Sequence, residues 1–511
     1  MSLNMLAFQN CGKAEKGARD YASLGSAAAN PVEYKEKQII VRMKDAAANV
    51  AMTSFANGNG LRLENNWPDS FMTHWSWEGP LSVDEVKTVL AQSSMKNDII
   101  YAEPNYLFHE AVNYSLNEVF SFPLANQALT TVNIQQSQLW PSLTPGKAKP
   151  IIAVIDTGIN TTHDVFTATG ALWVNTGEIP GDGIDNDNNG YIDDVNGFNF
   201  RDKNANINDL GGHGTHCAGI ILGVGQNIFK QTASLDKAKI QIMALKFIGP
   251  DGAGATSDAI NAIFYAVRNG AKVISNSWGG STNSRALEDA VKTAYDNEVV
   301  FVAAAGNSAS NIDAVPIYPA SIKVPNVISV AATGATDRLS DFSNFGTVSV
   351  TMAAPGESIL STYPTNSFTY LSGTSMATPF VAGTAILQLY ERPGLLSYQL
   401  KNIIIQKSDT VAALAGKIMN PVRLNSYAAV QEARIATIST EHPAYKGSSV
   451  ASVQADQGGG KSGCGTVSKI GGGNPPSKPP WIIVFMFLLP LAAAVSLRKL
   501  APAPVDKKRS Y

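Results

Sequence analysis

Four short polar motifs in the middle of the 511-residue chain contain the residue types that nucleophilic catalysis requires. The last of them, 373–379 (GTSMATP), brings a serine to the start of a predicted helix. The hydroxyl of Ser375 would lie there near unpaired backbone N–H groups and the positive end of the helix dipole. An isolated Gly-Thr-Ser is more often a helix cap than a nucleophile. The other three motifs therefore decide how Ser375 is interpreted.

Those three motifs supply an acid, a base and an amide. In chain order they are Asp156 after the apolar run PIIAVI, His213 within GGHGTHCAG, and Asn307 after AAAG. A serine hydroxyl is a poor nucleophile at neutral pH, so an imidazole must take its proton and return it to the leaving group. A carboxylate on the other ring nitrogen fixes the tautomer and stabilises the imidazolium. The amide and the N–H of Ser375 would donate to an oxyanion.

The elements that must position these side chains alternate between strand and helix. Strands are predicted at 150–155, 240–247, 272–275, 299–304 and 327–332, and helices at 256–268, 284–297, 375–389 and 397–406. Such an alternation with short connections predicts an α/β fold with a doubly wound, mostly parallel sheet and helices on both faces. An acid at the carboxyl end of a strand lies where clefts open in such sheets.

The motifs, in the order Asp, His, Asn and Ser across about residues 120–435, resemble those of the subtilisin-like serine peptidases, or subtilases. Asp156, His213 and Ser375 follow one another in the order that the catalytic triad takes in subtilisin. The resemblance implies a serine endopeptidase that hydrolyses peptide bonds, with Asn307 as an oxyanion donor. No catalytic cofactor is expected.

The resemblance also implies how a polypeptide substrate is held. Ser277, Trp278 and Gly279 would pair antiparallel with an extended peptide, and this β-augmentation leaves selectivity to the side-chain pockets. Ala304 and Gly306 would line the S1 pocket. Ile317 falls where many relatives carry a small residue at the base of that pocket. A shallow pocket that disfavours large P1 residues is therefore predicted.

Residues 31–110 precede the catalytic region and are predicted to form a small α+β domain. A strand at 38–43, a helix at 82–93 and a strand at 98–106 carry this prediction. Taken alone, they describe an ordinary α+β domain. The ending 100–106 (IYAEPNY) resembles the tail of the inhibitor-type propeptides of subtilases. It implies a zymogen that binds its own propeptide in cis and cleaves itself between Tyr106 and Asn126.

A polar insertion between Asp156 and His213 has the spacing of a calcium-binding loop. Oxygen ligands at positions 1, 3 and 5, glycine at 6, a carbonyl at 7 and an acid at 9 follow the EF-type pattern. The predicted structural calcium ligands are Asp185, Asp187, Asn189, Tyr191, Asp193 and Asp194. Asn196 stands where a bidentate glutamate is expected, so Asp194 or a ligand from elsewhere must complete the shell. A solvated turn rich in Asp and Asn is the alternative.

Composition and cysteine content restrict the partners. The net charge is −2 and no basic stripe is present, so a nucleic-acid partner is not expected. The three cysteines, Cys11, Cys217 and Cys464, are too widely separated to predict a disulfide framework or a metal site. Cys217 lies one helical turn after His213. We interpret it as a small buried residue, with sensitivity to mercurials as the alternative.

Both ends of the chain suggest export. Residues 1–30 resemble a lipoprotein signal that ends at a lipidated Cys11, and a free cysteine in a disordered leader is the alternative. A Gly/Ser/Pro linker at 436–480 is followed by an apolar segment at 481–497 and a basic tail at 498–511. This pattern predicts a membrane anchor or a surface-sorting signal rather than a core helix. The expected location is the bacterial surface, the periplasm or the medium.

The sequence thus predicts a secreted or surface-anchored, self-processing serine endopeptidase. The alternative from another class is a catalytically silent subtilase scaffold that serves as a binding or maturation factor. The presence of Asp156, His213, Asn307 and Ser375 disfavours it. A dinucleotide-binding enzyme is excluded because no GxGxxG opens a helix after the first strand.

Overall fold

A computed structural model describes residues 32–111, 119–121 and 134–441. The predicted leader with Cys11, most of the linker with Cys464, and the apolar segment 481–497 lie outside these residues. Among the residues that are described, no helix is long and apolar enough to cross a membrane.

The elements follow one another in a β-rich N-terminal region and then in a long alternation. The strands are β1 (Tyr34–Met43), β2 (Leu61–Trp67), β3 (Met72–Trp77), β4 (Ile99–Glu110), β5 (Val119–Ser121), β6 (Ile151–Asp156), β7 (Gly197–Asn199), β8 (Gln241–Lys246), β9 (Ala253–Ala255), β10 (Ala271–Asn276), β11 (Trp278–Gly279), β12 (Val300–Ala304), β13 (Val327–Thr333), β14 (Met352–Pro355), β15 (Ile359–Tyr363), β16 (Ser367–Leu371), β17 (Asp409–Thr410) and β18 (Val422–Arg423). The helices are α1 (Ala46–Gly58), α2 (Val83–Gln92), α3 (Gln136–Ser142), α4 (Asp164–Thr169), α5 (His213–Gly225), α6 (Thr256–Arg268), α7 (Arg285–Asp296), α8 (Thr374–Glu391), α9 (Ser397–Lys407) and α10 (Ser426–Ile435).

The central sheet has nine strands in the order β17-β18-β14-β13-β12-β10-β6-β8-β7. Every pairing in it is parallel except that of β17 with β18. All residues of β12 and β13 are buried, as expected for parallel strands covered on both faces. The predicted doubly wound, mostly parallel sheet is therefore confirmed.

Alternate residues of β6 show how the two faces are packed. Ile152 and Val154 belong to the core that includes residues of α5 and α8, whereas Ala153 and Ile155 belong to the core that includes residues of α6 and α7. This follows from the strand geometry, in which successive side chains point to opposite faces. Packing against the sheet thus fixes the positions of α5 and α8, the helices that carry the candidate catalytic residues.

The N-terminal region has a core of its own and supplies four strands of a six-stranded sheet. Strand β1 lies between β3 and β4, and β2 completes this antiparallel sheet. Helices α1 and α2 cover it around a core that includes Met52, Trp75 and Leu90. Ser82 and Glu85 form a capping box at the start of α2, which stabilises the helix where it begins. The order strand, helix and strand that the sequence indicated is present here, together with α1 and the β2–β3 hairpin, which were not predicted.

Candidate active site

Asp156 and His213 meet where β6 ends and α5 begins. Asp156 is the last residue of β6, and His213 is the first of α5, after Gly212 in the left-handed region with φ of 90°. His213 Nδ1 lies 2.7 Å from Asp156 Oδ1, and both side chains are buried. A Cβ at Gly214 would lie 2.2 Å from the carbonyl oxygen of Gly158, so only glycine lets the start of α5 approach the segment after β6 this closely. The arrangement fits a base with its orienting carboxylate.

The charge of His213 is set by competing effects. Burial disfavours the imidazolium, but the carboxylates of Asp156, Glu110 and Asp209 outweigh it and raise the pKa of His213 to about 9. Asp156 contributes the largest favourable effect, through both its charge and its hydrogen bond. The site is therefore built to stabilise a protonated imidazole, which is the form that a general base acquires during catalysis.

Ser375 is the second residue of α8, and its Oγ contacts two carbonyl oxygens rather than the imidazole. It donates to the carbonyl oxygen of Ala111 and is also 2.9 Å from the carbonyl oxygen of Ser277. Among the described residues, His213 Nε2 has no hydrogen-bond partner. The expected bond between serine and histidine is thus not formed here. In many enzymes such a catalytic hydrogen bond tightens only when substrate binds productively.

A peptide carbonyl lies where the sequence predicted an oxyanion hole. The carbonyl oxygen of Ala111 accepts hydrogen bonds from Asn307 Nδ2 at 2.6 Å and from the N–H of Ser375 at 3.3 Å. Asn307 is held in this orientation because its Oδ1 accepts from both the N–H and the Oγ1 of Thr374, each at 2.9 Å. Sequence reasoning missed Thr374, whose only signal was its place directly before Ser375.

The chain's own strand β4 occupies the adjoining cleft as an extended peptide. It lies between β11 and β9, and pairs antiparallel with both. The N–H of Ala111 continues this ladder by donating to the carbonyl oxygen of Ser277 at 3.0 Å. The structure therefore brings Ser277, Trp278 and Gly279 against residues 109–111, the arrangement that was expected for a substrate.

The residues predicted to form the S1 pocket pack closely together. Ala304 is fully buried at the end of β12, and Gly306 follows it. A Cβ at Gly306 would lie 3.7 Å from Cγ2 of Ile317, and one at Gly279 would lie 3.0 Å from the same atom. Ile317 therefore fills space beside both glycines, as the prediction of a shallow pocket requires.

Two buried side chains beside the triad have structural contacts. His216 Nε2 lies 3.0 Å from the carbonyl oxygen of Thr369, and burial lowers the pKa of His216 to about 3. The Cys217 thiol donates to the carbonyl oxygen of Ser375 at 3.5 Å. Burial and the charge of Asp156 raise the pKa of Cys217, so it remains a thiol at neutral pH. Neither group is arranged as a nucleophile.

The polar insertion brings together a set of carboxylates that differs from the predicted one. Oxygens of Glu178, Asp187 and Asp194 lie within 4.8 Å of one another. Asp185 instead accepts from the N–H groups of Asn189 and Gly190.

The remaining predicted ligands have other contacts. Asp193 accepts from the N–H groups of Gly181 and Gly183, and the ring of Tyr191 packs on Phe198. The amide of Asn189 donates to Asp187 and Asp194.

The three carboxylates fit a hard cation. All the converging donors are oxygens, which Ca²⁺ prefers. Glu178 and Asp194 are buried and Asp187 is exposed. None of the ion pairs in the described part of the chain involves these three acids. Sequence reasoning missed Glu178 because it lies seven residues before Asp185, outside the spacing of the loop motif.

Comparison with known proteins agrees with this geometry. Residues 147–436 match the model of the subtilase family. The chain is 34% identical to the thermophilic serine proteinase of Bacillus sp. (strain AK1) over 350 residues, which cover 68% of this chain and 77% of that protein. It is 37% identical to thermitase of Thermoactinomyces vulgaris over 298 residues, 58% of this chain and 94% of thermitase.

The fold is also similar to solved structures. The crystal structure of fervidolysin from Fervidobacterium pennivorans, a keratinolytic enzyme related to subtilisin, matches with a TM-score of 0.58 at 23% identity. The match covers 81% of this chain and 63% of that one. At this identity the likeness supports the fold alone. The family match and the two sequence relatives show that the chain belongs to the subtilase family and is a serine endopeptidase.

Proposed function

We propose that Asp156, His213, Asn307 and Ser375 hydrolyse peptide bonds in extended polypeptides, and that the first bond cut is the chain's own Ala111–Val112. One observation carries the proposal. The carbonyl oxygen of Ala111 accepts from both predicted oxyanion donors while its strand is paired along the substrate ladder. Ala111 thus takes the P1 position, inside the predicted processing window of 106–126.

The chemistry follows from these contacts. Oγ of Ser375 turns to His213 Nε2, gives up its proton and attacks the carbonyl carbon of Ala111. The oxyanion that forms is stabilised by Asn307 Nδ2 and the N–H of Ser375. The C–N bond breaks as the imidazolium of His213 returns the proton to the leaving amine. Water, activated by the same imidazole, then hydrolyses the acyl-enzyme.

Contacts between the N-terminal region and the catalytic region support a zymogen. The carboxylate of Glu103 accepts from Ser284 Oγ at 2.7 Å and from the N–H groups of Arg285 and Ala286 at 3.0 and 3.1 Å. Its oxygens thereby cap α7. Burial raises the pKa of Glu103 to about 7, against these hydrogen bonds, which favour the charged form. Asn105 Oδ1 accepts from the N–H of Ser257, at the start of α6. A propeptide with these contacts is expected to stay bound non-covalently after cleavage and to cover the cleft until it is removed.

The proposed activity is tested by casein hydrolysis and by reaction with a fluorophosphonate, which labels activated serines. We expect the processed chain, once separated from its propeptide, to digest casein, and prior labelling at Ser375 to abolish digestion. A folded chain that stays full length, and that neither reacts with the probe nor digests casein after its N-terminal region is removed, would favour the silent-scaffold alternative.

The position of Ile317 in the predicted S1 region leads us to expect a preference for small P1 residues. Since Ile317 lies beside Gly279 and Gly306, a P1-varied peptide library should show cleavage after Ala at least about tenfold better than after Phe or Tyr, the range that pocket contacts give. Ile317→Ala should narrow this difference, whereas Ile312→Ala, a buried control elsewhere, should leave it unchanged. Efficient cleavage after Phe or Tyr by the wild type would refute the shallow pocket.

Calcium is proposed to bind Glu178, Asp187 and Asp194, cross-linking the insertion between Asp156 and His213. We expect EDTA to lower the melting temperature by about 5 °C. The reason is that calcium at about 100 times its Kd stabilises the folded state by about 2.7 kcal/mol. Glu178→Gln should remove most of this dependence. Asp236→Asn, at an exposed acid, should retain it. An equal melting temperature with and without EDTA would contradict calcium binding.

Export and surface tethering are proposed from the sequence alone. The candidate lipidated Cys11 and the apolar segment 481–497 with its basic tail support them. Fractionation of cells that express the full chain, followed by detergent extraction, would test them. Recovery of the chain in the cytoplasm would contradict both.

A further inference from the structure

We propose that a carboxylate on the P2 residue, supplied in the precursor by Glu110, stabilises the imidazolium form of His213 and thereby sets both the rate and the pH range of cleavage. This inference rests on the proposed function, because it takes Ala111 as P1. It extends to substrates in trans, for which it predicts a preference for an acidic P2 residue at alkaline pH, above the pKa of His213, and no preference on the acid limb.

The position of Glu110 is fixed by strand pairing. Glu110 pairs with Trp278 in the ladder between β4 and β11, and its Oε2 lies 3.9 Å from His213 Nδ1. Asp156 contacts the same ring nitrogen at 2.7 Å. The side chain of Glu110 is 16% exposed and that of His213 is fully buried, so solvent screens this pair only in part.

Several other titratable groups surround the imidazole. They are Asp156 from β6, Asp209 from the loop before α5, and His216 and Cys217 from α5 itself. His216 and Cys217 are uncharged at neutral pH because burial lowers the pKa of one and raises that of the other. Asp209 is committed to the hydroxyl and N–H of Thr215. Glu110 is thus the carboxylate near His213 that belongs to the propeptide and departs with it.

A second carboxylate beside the base affects the two limbs of a pH profile differently. Below the pKa of His213 the imidazolium is present in both the ground state and the transition state. The charge of Glu110 therefore stabilises both states equally and does not change the rate. Above that pKa the ground state is neutral and only the transition state is stabilised. Loss of the charge should therefore lower the plateau rate by a certain factor. It should shift the midpoint of the pH profile to lower pH by the logarithm of that factor. A purely structural role would lower the rate equally at every pH.

The experiment compares full-length wild type with Glu110→Gln and with the control His109→Gln. His109 is the adjacent residue, but its ring faces Glu33 and the carbonyl oxygen of Gly252. Each precursor is refolded at about pH 5 and then shifted to a series of higher pH values. The rate at which the uncleaved precursor disappears is measured by intact mass. Relative to wild type, Glu110→Gln should have a midpoint about half to one pH unit lower and a plateau about three- to tenfold lower, with coinciding acid limbs. His109→Gln should keep the wild-type midpoint.

A second measurement removes any effect of mutation on folding. The processed wild-type enzyme, separated from its propeptide, is given the hexapeptides Leu-Phe-His-Glu-Ala-Val and Leu-Phe-His-Gln-Ala-Val, and kcat/KM is measured across pH. The same displacement of midpoint and plateau is expected. The role of Glu110 would be overturned if wild type and Glu110→Gln had equal midpoints and the two hexapeptides also had equal midpoints. A chain that cleaves neither itself nor either peptide at any pH would instead refute the proposed function.

Discussion

Ser375→Ala is expected to leave the precursor full length and to lower peptide hydrolysis by about 10⁶-fold, the loss known for removal of a triad serine. The reason is that, among the described residues, Ser375 has the hydroxyl that donates to the Ala111 carbonyl oxygen, while Nε2 of the proposed base His213 has no hydrogen-bond partner. Residual hydrolysis would come from the oxyanion donors alone. The measurement is casein hydrolysis together with the intact mass of the chain.

The matched control for this variant is Ser372→Ala. Ser372 lies three residues earlier, where its Oγ accepts from the N–H of Ser358 rather than from the catalytic groups. This variant should process itself and digest casein within a factor of about two of the wild type, as surface substitutions usually do. Self-cleavage by Ser375→Ala at a comparable rate would show that another group is the nucleophile.

Asp156→Asn is expected to lower kcat by about 10⁴-fold with the fold intact. The carboxylate of Asp156 is the largest favourable contribution to the raised pKa of His213, and the amide cannot replace its charge. Because Asp156 raises this pKa, its removal must lower it. The acid limb of the residual pH profile should therefore move to lower pH.

Two measurements check that prediction. Steady-state kinetics on both sides of the pKa of His213, which is about 9, give the loss in kcat and the displacement of the limb. The calcium-dependent melting temperature serves as the control for folding, since the proposed ligands lie outside the triad. A loss below about tenfold, or a limb displaced to higher pH, would contradict the role assigned to Asp156.

The sheet was predictable because its strands have a clear local pattern. Buried parallel strands such as Ile151–Asp156 are continuous apolar runs rich in β-branched residues, and the amphipathic helix Thr256–Arg268 has the predicted bounds. The hairpin of β2 and β3 was missed because its sequence, with LRLENNW in the first strand, mixes polar and apolar residues without a clear period. Tertiary pairing with β1 decides its conformation.

The candidate site shows the same division between local and long-range information. His213 and Ser375 stand in short, recognisable motifs, so their residue types could be assigned from the sequence. Glu178 could not be assigned, because only folding brings it to Asp187 and Asp194. The place of Ala111 in the oxyanion hole depends on the pairing of β4 with the distant strand β11, which no local pattern encodes.

The most direct test is the N-terminal sequence of the processed wild-type chain. The contacts of Ala111 with Asn307 and Ser375 predict a new N-terminus at Val112 and a released fragment that ends at Ala111. The Ser375→Ala chain, prepared in parallel, should yield neither. A first cleavage at any other bond, or the same cleavage in the Ser375→Ala chain, would contradict the assignment of Ala111 as P1 and of Ser375 as its nucleophile.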